Sequence, residues 1–480
     1  MVGPKNSRSI DRLPEDVANP VAKALSAFLK ARLPSNLSSS SNLRLCVALS
    51  GGRDSVVLLH ALCRLVSASG MPVVLSAVHV HHGLSFNADA WVGFCTQLCA
   101  ASKVPLRVIH VEVQRDSGEG LEGAARRVRH AAFADCDTDW LALAHHRDDQ
   151  AETVLLELLR GAGVVGAAGM LAQRSQARGP TLVRPLLAVP RAEIESYAVE
   201  HGLRWIDDES NDDVRFRRNF LRHDVLPRLD EKFPGAQKSL ARAAGHFAEA
   251  SALLDELAEL DRVTLATPSG RIAVSRFNAL TPARARNLLR FAWVEAGFRA
   301  PDTRWIDEAL QQLAGADASS EICLATADGE LHVYRDELHL VDHAPVVSAQ
   351  PVLWSGEAEL PWAGGYVRFV PAVGEGVRRS LLEGGGVALQ ARHGGERLQL
   401  HPRRPRRSLR KLLQEAAVPP WERERLPFLW CNDHLLWVGG LGADVAFVCT
   451  PGETGVLPVW VSSGSDHQET RMSMESKQCQ

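Results

Sequence analysis

The sequence predicts an α/β protein: a parallel-sheet N-terminal domain, then a helical domain, then a small α+β C-terminal module. Three observations carry this. From Leu43 to about Asp207, short apolar runs alternate with stretches of helical period. From about 215 to 320 the texture becomes long, Ala- and Leu-rich and helical. From about 348 strand-like pieces return, and Gly384 to Pro451 reads as a compact module. A chain of 480 residues is too long for one ordinary core, so several domains are expected.

In order, residues 1–42 form an N-terminal extension with one amphipathic helix (Val21 to Leu33) and a Ser-rich linker at Ser38 to Ser41. The first domain spans 43–214. Its strands are expected at Leu43–Leu49, Val73–His79, Leu106–Val113 and Trp140–Ala144. Helices are expected at Asp54–Ser67, Asn87–Ala101, 119–134 and Asp149–Arg160. The helical domain covers 215–347; Leu240, Ala243, Ala244 and Phe247 share one helix face, and Leu288, Leu289, Ala292 and Trp293 another. The α+β module covers 348–462. The tail 463–480 is Ser-, Gln- and Glu-rich without apolar pattern, and is expected to be disordered.

Hydrophobic content of 45% and charged content of 23% are those of a soluble globular protein. No apolar stretch approaches the ~20 residues that span a bilayer, and no secretory layout opens the chain, so no membrane partner and a cytoplasmic location are expected. Nine scattered cysteines fit a reducing compartment; Cys95 and Cys99 read as buried apolar groups on one helix face. Net charge is only −3, yet 46 of the 54 basic residues are arginine, clustered at 126–129, 215–222 and 403–410. Arginine suits bidentate phosphate contact and base stacking.

The most specific string is Ser50-Gly51-Gly52-Arg53-Asp54-Ser55, between the first strand and the first helix of the α/β domain. Ser50 or Asp54 is the expected N-cap. Exposed backbone N–H groups at a helix N-terminus make an anion cradle. The string resembles the pyrophosphate loop of the N-type ATP pyrophosphatases, which cleave ATP between the α and β phosphates. No Gly-x4-Gly-Lys-[Ser/Thr] occurs, which argues against γ-phosphate transfer.

Further along, His79-Val80-His81-His82 ends the second strand. Histidines lining a nucleotide pocket are preferred to a zinc site, because no carboxylate or cysteine completes a ligand set nearby. Asp149 and Glu152 are three apart at a helix start, where they either cap the helix or hold Mg²⁺ or an ammonium group. Glu122, Arg126 and Arg129 lie on one helical face, either a solvated ion-paired surface or a contact for phosphate or RNA. Arg160-Gly161-x-Gly163 is a glycine-rich loop, and Asp208-Glu209-Ser210-Asn211 precedes Arg218, Asn219 and Arg222.

The order of these motifs, together with Arg184-Pro185-Leu186-Leu187, resembles the tRNA(Ile)-lysidine synthetase family. The resemblance covers about 43–225 closely. It continues through Arg286-Asn287-Leu288-Leu289-Arg290, Arg407-Ser408-Leu409-Arg410-Lys411, Val418-Pro419-Pro420-Trp421 and Val438-Gly439-Gly440-Leu441-Gly442. Ser85, His130 and Arg403-Arg404-Pro405-Arg406 depart from the family pattern.

The resemblance implies an adenine nucleotide α-hydrolase-like fold, ATP and Mg²⁺, and as partners L-lysine and the isoleucine tRNA with a CAU anticodon. The wobble cytidine O2 would attack the α-phosphate of ATP, expelling pyrophosphate. The lysine ε-amine would then attack C2, expelling AMP and leaving lysidine. The implied catalytic residues are Asp54, Arg126, Asp149 and Glu152. ATP would lie on Ser50, Gly51, Gly52, Arg53, Asp54, Ser55, His79 and His82, and Mg²⁺ on Asp54 and Asp149. tRNA or lysine would meet Arg129, His145, Arg160, Gly161, Arg218, Asn219, Arg222, Arg407, Arg410 and Lys411. Which carboxylate serves metal and which lysine stays open, as does the oligomeric state, a homodimer being one option. The alternative within the class is a tRNA thiolase, disfavoured because there is no Cys-x-x-Cys. An amidotransferase-type synthetase would need a glutaminase domain, and a non-catalytic tRNA binder would not need Asp54, Asp149 and Glu152.

Overall fold

The computed structural model describes residues 19–32, 42–113, 120–176, 178–207, 213–316, 320, 322–343 and 350–462. The Ser38–Ser41 linker, Asp208–Asn211, the Glu122 side chain and the tail 463–480 lie outside the described residues. The chain divides between Leu260 and Asp261 into two compact units.

The first unit is built on a six-stranded sheet: β1 (Leu43–Ala48), β2 (Val73–His81), β3 (Leu106–His110), β4 (Trp140–Ala142), β5 (Gln173–Arg174) and β6 (Thr181–Val183). Their order is β3-β2-β1-β4-β6-β5, parallel throughout except for the edge strand β5. Alternation along β1 explains why both faces are covered. Leu43, Leu45 and Val47 enter one core with helices α1 (Pro20–Arg32), α2 (Arg53–Ser69), α3 (Ala88–Ala101) and α7 (Arg191–Glu200). Cys46, on the other face, joins Val78, Leu141 and Leu182 against Phe133 of α4 (Gly120–Ala134). Helix α1 is part of this unit: Val21, Leu25, Phe28 and Leu29 are buried in the first core, and Phe28 meets Trp140 edge-on at 6.2 Å. Cys95 and Cys99 are both buried, as read from the sequence.

Two helix starts differ from expectation. Helix α2 begins at Arg53 with Gly52 as N-cap and no side-chain cap. Ser50 is not the cap because its Oγ accepts the Gly52 N–H (3.2 Å) and meets the Ser55 Oγ (3.1 Å), and Asp54 lies inside the first turn. Helix α5 (Arg147–Leu159) begins two residues before Asp149, capped by His146.

After α5 come α6 (Val164–Ala167), α8 (Arg217–Phe220), one π-helical turn (Leu221–Val225), α9 (Leu226–Lys232) and the long α10 (Ala236–Leu265). The second unit opens with helices α11 (Val274–Phe277), α12 (Pro282–Glu295) and α13 (Thr303–Ala314). Leu288, Leu289, Ala292 and Trp293 of α12 are all buried. This segment is not purely helical, as the sequence suggested: it carries a four-stranded sheet, β7 (Ile272–Ala273), β8 (Ile322–Ala325), β9 (Glu330–Tyr334) and β10 (Glu337–Val341). The β9–β10 hairpin turns on Arg335 and Asp336, both left-handed (φ 51° and 64°). That geometry usually advertises itself with Asn-Gly or Asp-Gly, and here it does not. The C-terminal module packs a five-stranded and a four-stranded antiparallel sheet around Trp362, Val367, Leu389 and Leu429, with helix Leu409–Glu415 on a neighbouring cluster.

Candidate active site

The Ser50–Ser55 loop leaves the carboxyl end of β1, where parallel α/β sheets bind their ligands. Gly51 takes φ +90°, and a Cβ there would sit 2.6 Å from Ile206 Cδ1 and 3.2 Å from Cys95 Sγ. Only glycine allows this backbone to turn tightly over the sheet edge. From beneath, the His79 Nδ1–H donates to the Leu49 carbonyl at 2.8 Å, so His79 braces the strand that feeds the loop. Arg53 is fixed by Glu195 and by Asp54 (3.1 Å).

The second component is the start of α5, at the end of β4. His146 is 2% exposed, and its Nδ1 accepts the Asp149 amide (3.3 Å) while the Asp149 carboxylate accepts the His146 amide (3.0 Å). This reciprocal capping box uses histidine where Ser or Thr is usual. An Nδ1 that accepts leaves the proton on Nε2, which faces Asp149 Oδ2 at 3.4 Å and Asp54 Oδ2 at 3.6 Å. Burial opposes charge on this ring, but the Asp54 contact and the Asp149 charge outweigh it and raise its pKa. Burial likewise works against the Asp54 charge, but His146 and Arg53 prevail and hold the carboxyl at about 2. Asp149 is also held below the usual range, burial being overcome by His146, His145 and Arg218. Both carboxylates are therefore ionised at neutral pH.

Glu152, 1% exposed, faces the other way. It accepts Arg222 Nε at 2.6 Å, Arg222 Nη2 at 3.0 Å and Arg218 Nε at 3.1 Å. Arg222 also donates to Asp149 Oδ1 (3.0 Å), and Arg218 to the Thr153 hydroxyl (3.0 Å). Arg218 and Arg222 come from α8 and the π-helical turn, and such a turn re-aims side chains at many functional sites. Asn219, buried between them, donates to the Asp213 carbonyl. The structure thus brings Arg218 and Arg222 onto the carboxylates of α5.

Cationic side chains also gather here. Burial lowers the pKa of the His145 ring to about 3, the Asp149 charge opposing it and Arg184, Arg218 and Arg126 adding to it. His82 is pushed by burial, and less by the Arg129 charge, to about 4. Gln150 clamps the glycine-rich loop by donating to the Ala168 and Met170 carbonyls and accepting the Met170 amide. Arg160 pairs with Glu157 at the exposed end of α5, next to Gly161 at φ +77°. In the second unit, Arg407 is held by Glu415 and Arg406 by buried Asp444, whereas Arg403, Arg404, Arg410 and Lys411 are exposed, with no side-chain partner among the described residues.

Sequence reasoning singled out His145 but gave its neighbour His146 no role, although a His-His doublet three residues before Asp149 was the available signal. It also gave Arg184 and Glu195 none. Among the described residues no three metal-ligating groups converge at His79–His82: His79 faces the Leu49 carbonyl and His81 faces Asp89. Among the described residues the one cluster of three metal-ligating types is Cys323, Glu330 and His332, in the second unit. Cys95, the thiol under the loop, is pushed by burial to about 12 and offers no thiolate at neutral pH.

Family models match the PP-loop domain over residues 20–229, the TilS substrate binding domain over 273–339 and the TilS substrate C-terminal domain over 387–460. The tRNA(Ile)-lysidine synthase of Aromatoleum aromaticum is 46% identical over 419 residues, covering 87% of this chain and 97% of that protein. Those of an Azoarcus species and Nitrosomonas europaea are 44% and 42% identical, covering 88% and 87% of this chain and 93% and 92% of theirs. The chain belongs to the tRNA(Ile)-lysidine synthase family. Membership extends the resemblance from the nucleotide loop through both later domains. Among the described residues no helix is long and apolar enough to cross a membrane.

Proposed function

We propose that lysidine is made at the carboxyl ends of β1, β4 and β6, with the Ser50–Ser55 loop on the phosphates of ATP and the Asp149–Glu152 face taking lysine. The reaction is the ATP-dependent joining of lysine to C2 of the wobble cytidine in the CAU-anticodon isoleucine tRNA, through an adenylated cytidine. The observation that carries this assignment is His146 Nε2, which lies 3.6 Å from Asp54 and 3.4 Å from Asp149. One buried ring thereby ties the phosphate loop to the carboxylate helix.

In the first half-reaction the cytidine O2 attacks the α-phosphorus and pyrophosphate leaves. Backbone N–H groups at the N-terminus of α2 face the phosphate oxygens, and Arg126 and Arg129 add positive potential. Asp54 and Asp149 are hard oxygen donors kept ionised, a set that fits Mg²⁺. Bound there, the ion would neutralise phosphate charge. In the second half-reaction the lysine ε-amine must be oriented and deprotonated before it attacks C2 and AMP departs. A carboxylate does both. Asp149, shared between His146 and Arg222, and Glu152, held by two arginines, are the acids available for this. The cytidine must leave its stack to reach them, as base-modifying enzymes require. Exposed Arg403, Arg404, Arg410 and Lys411 suit tRNA phosphates.

The test is incubation with ATP, Mg²⁺, labelled lysine and two CAU-anticodon transcripts, isoleucine and methionine. Label should enter only the isoleucine tRNA and vanish with Asp54→Ala. Pyrophosphate release without label would refute lysine as the nucleophile.

A further inference from the structure

We propose that Arg184, with Arg126, Arg174 and the His145 ring, forms a second subsite for phosphate oxygens, separate from the Ser50–Ser55 loop. The proposal rests on the lysidine reading only for the identity of the phosphate. Its physical basis is a buried cation that the protein itself leaves unanswered.

Arg184 directly follows β6, which pairs in parallel with β4 in the register Ala142–Val183. The Leu143 amide donates to the Val183 carbonyl at 2.8 Å, so Arg184 and His145 emerge from adjoining strand ends. Arg184 is 5% exposed. Its Nη1 donates to the Leu171 carbonyl at 2.8 Å, and its Nε is buried with no hydrogen-bond partner. No carboxylate pairs with it among the described residues. Burial, and then the same-sign charges of Arg126 and Arg174, lower its pKa to about 10. It therefore stays charged at neutral pH. The His145 Nδ1 is a second buried, unpartnered polar atom beside it.

A buried guanidinium is tolerated when paired, and an uncompensated one is costly. The acids at the starts of α2 and α5 are already engaged: Asp54 by Arg53 and His146, Asp148 by the Arg191 amide, Asp149, the acid that acts on the His145 ring, by Arg222 and His146, and Glu152 by Arg218 and Arg222. The missing partner is thus an anion that arrives with substrate. The planar fork of arginine matches phosphate oxygens, and a neutral His145 can donate one further hydrogen bond. Two sources supply that chemistry here: the departing pyrophosphate and a backbone phosphate of the tRNA.

The experiment titrates inorganic pyrophosphate and, separately, the isoleucine tRNA into the full chain and into Arg184→Gln. A drop of about tenfold in pyrophosphate affinity alone assigns the subsite to the leaving group. A similar drop for tRNA alone, with the salt dependence shallower by about one unit, assigns it to the RNA backbone. Unchanged affinity for both overturns the proposal. If Arg184→Gln does not fold, exposed Arg174→Gln serves instead, with a shift of about twofold expected in one arm and none in either as the refuting result. Lysine transfer by the unaltered chain is measured in parallel. Its absence counts against the reaction, whereas the subsite stands or falls on the two binding arms.

Discussion

Replacing Glu152 with glutamine removes one charge and almost no volume, so it isolates the electrostatic role of the carboxylate. In the folded chain that carboxylate is 2% exposed and accepts three guanidinium hydrogen bonds, at 2.6, 3.0 and 3.1 Å. The amide retains one acceptor oxygen but turns its NH₂ toward a guanidinium. Besides that oxygen, Arg218 and Arg222 then have only Asp149 and the Thr153 hydroxyl among the described residues. Breaking a fully buried pair costs about 3–5 kcal/mol. Here the arginine side chains are 25% and 23% exposed, so water recovers part of this, and about 2–3 kcal/mol is expected. Hydrogen exchange of peptides from α5 and α8 reads the loss locally, which matters in a chain of two units. A double-mutant cycle with Arg222→Gln isolates the pair, with a coupling of about 1.5 kcal/mol or more expected. Lysine transfer should fall while affinity for a non-hydrolysable ATP analogue holds. A coupling within about 0.5 kcal/mol of zero would refute the argument, because it would mean that Glu152 does not hold these arginines in solution.

Three other perturbations test separate parts of the account. Gly51→Ala must adopt left-handed φ and push aside Ile206 and Cys95, so ATP-analogue affinity should fall by about thirtyfold, equivalent to about 2 kcal/mol of strain; titration calorimetry checks it. His145, His82 and His130 have pKa values lowered by burial to about 3, 4 and 4, so the native state stays neutral where unfolded histidine takes up protons. Stability should therefore decline as pH falls from about 6.5 toward 4, each ring adding up to about 1.4 kcal/mol per pH unit, whereas the stability from His146, whose pKa is raised, is constant over that range and is lost only as pH rises above about 6.5. Urea midpoints across that range, with a shallower slope for His145→Gln, measure it. Replacing Arg410 and Lys411 together by alanine should leave folding intact and lower the log–log salt slope of tRNA binding by about two units, read by filter binding.

The nucleotide loop was legible because everything that defines it is local: an apolar strand, Ser-Gly-Gly-x-Asp-Ser and a helix of regular period. The cap was misread for an equally local reason. Ser50 spends its hydroxyl inside the loop on Gly52 and Ser55, which leaves the first N–H groups of α2 for an anion. The α5 boundary was missed because histidine is an unusual cap, and the β9–β10 hairpin because Arg335-Asp336 takes a left-handed turn without glycine. Harder still were the long-range pairings. Glu152 meets Arg218 and Arg222 across 66 and 70 residues, and no spacing rule reaches that far.

Those pairings decide what the arginine-rich composition means. Forty-six arginines in a chain of net charge −3 do not say which of them meet phosphate. The structure sorts them by counter-ion. Arg44 is met by Asp137 and Asp139, Arg53 by Glu195, Arg218 and Arg222 by Glu152, and Arg406 by Asp444; these hold the scaffold. Among the described residues, Arg184 is buried without an acid, and Arg403, Arg404 and Arg410 are exposed without one. An exposed unpaired arginine costs little and contributes to general tRNA attraction. A buried unpaired arginine is expensive, and a stable fold retains it where a ligand supplies the missing charge. The same residue type thus stands as a paired strut, as an exposed unpaired charge and as a buried unpaired charge. What separates the three is burial and the nearest carboxylate, two quantities that exist only once the chain has folded.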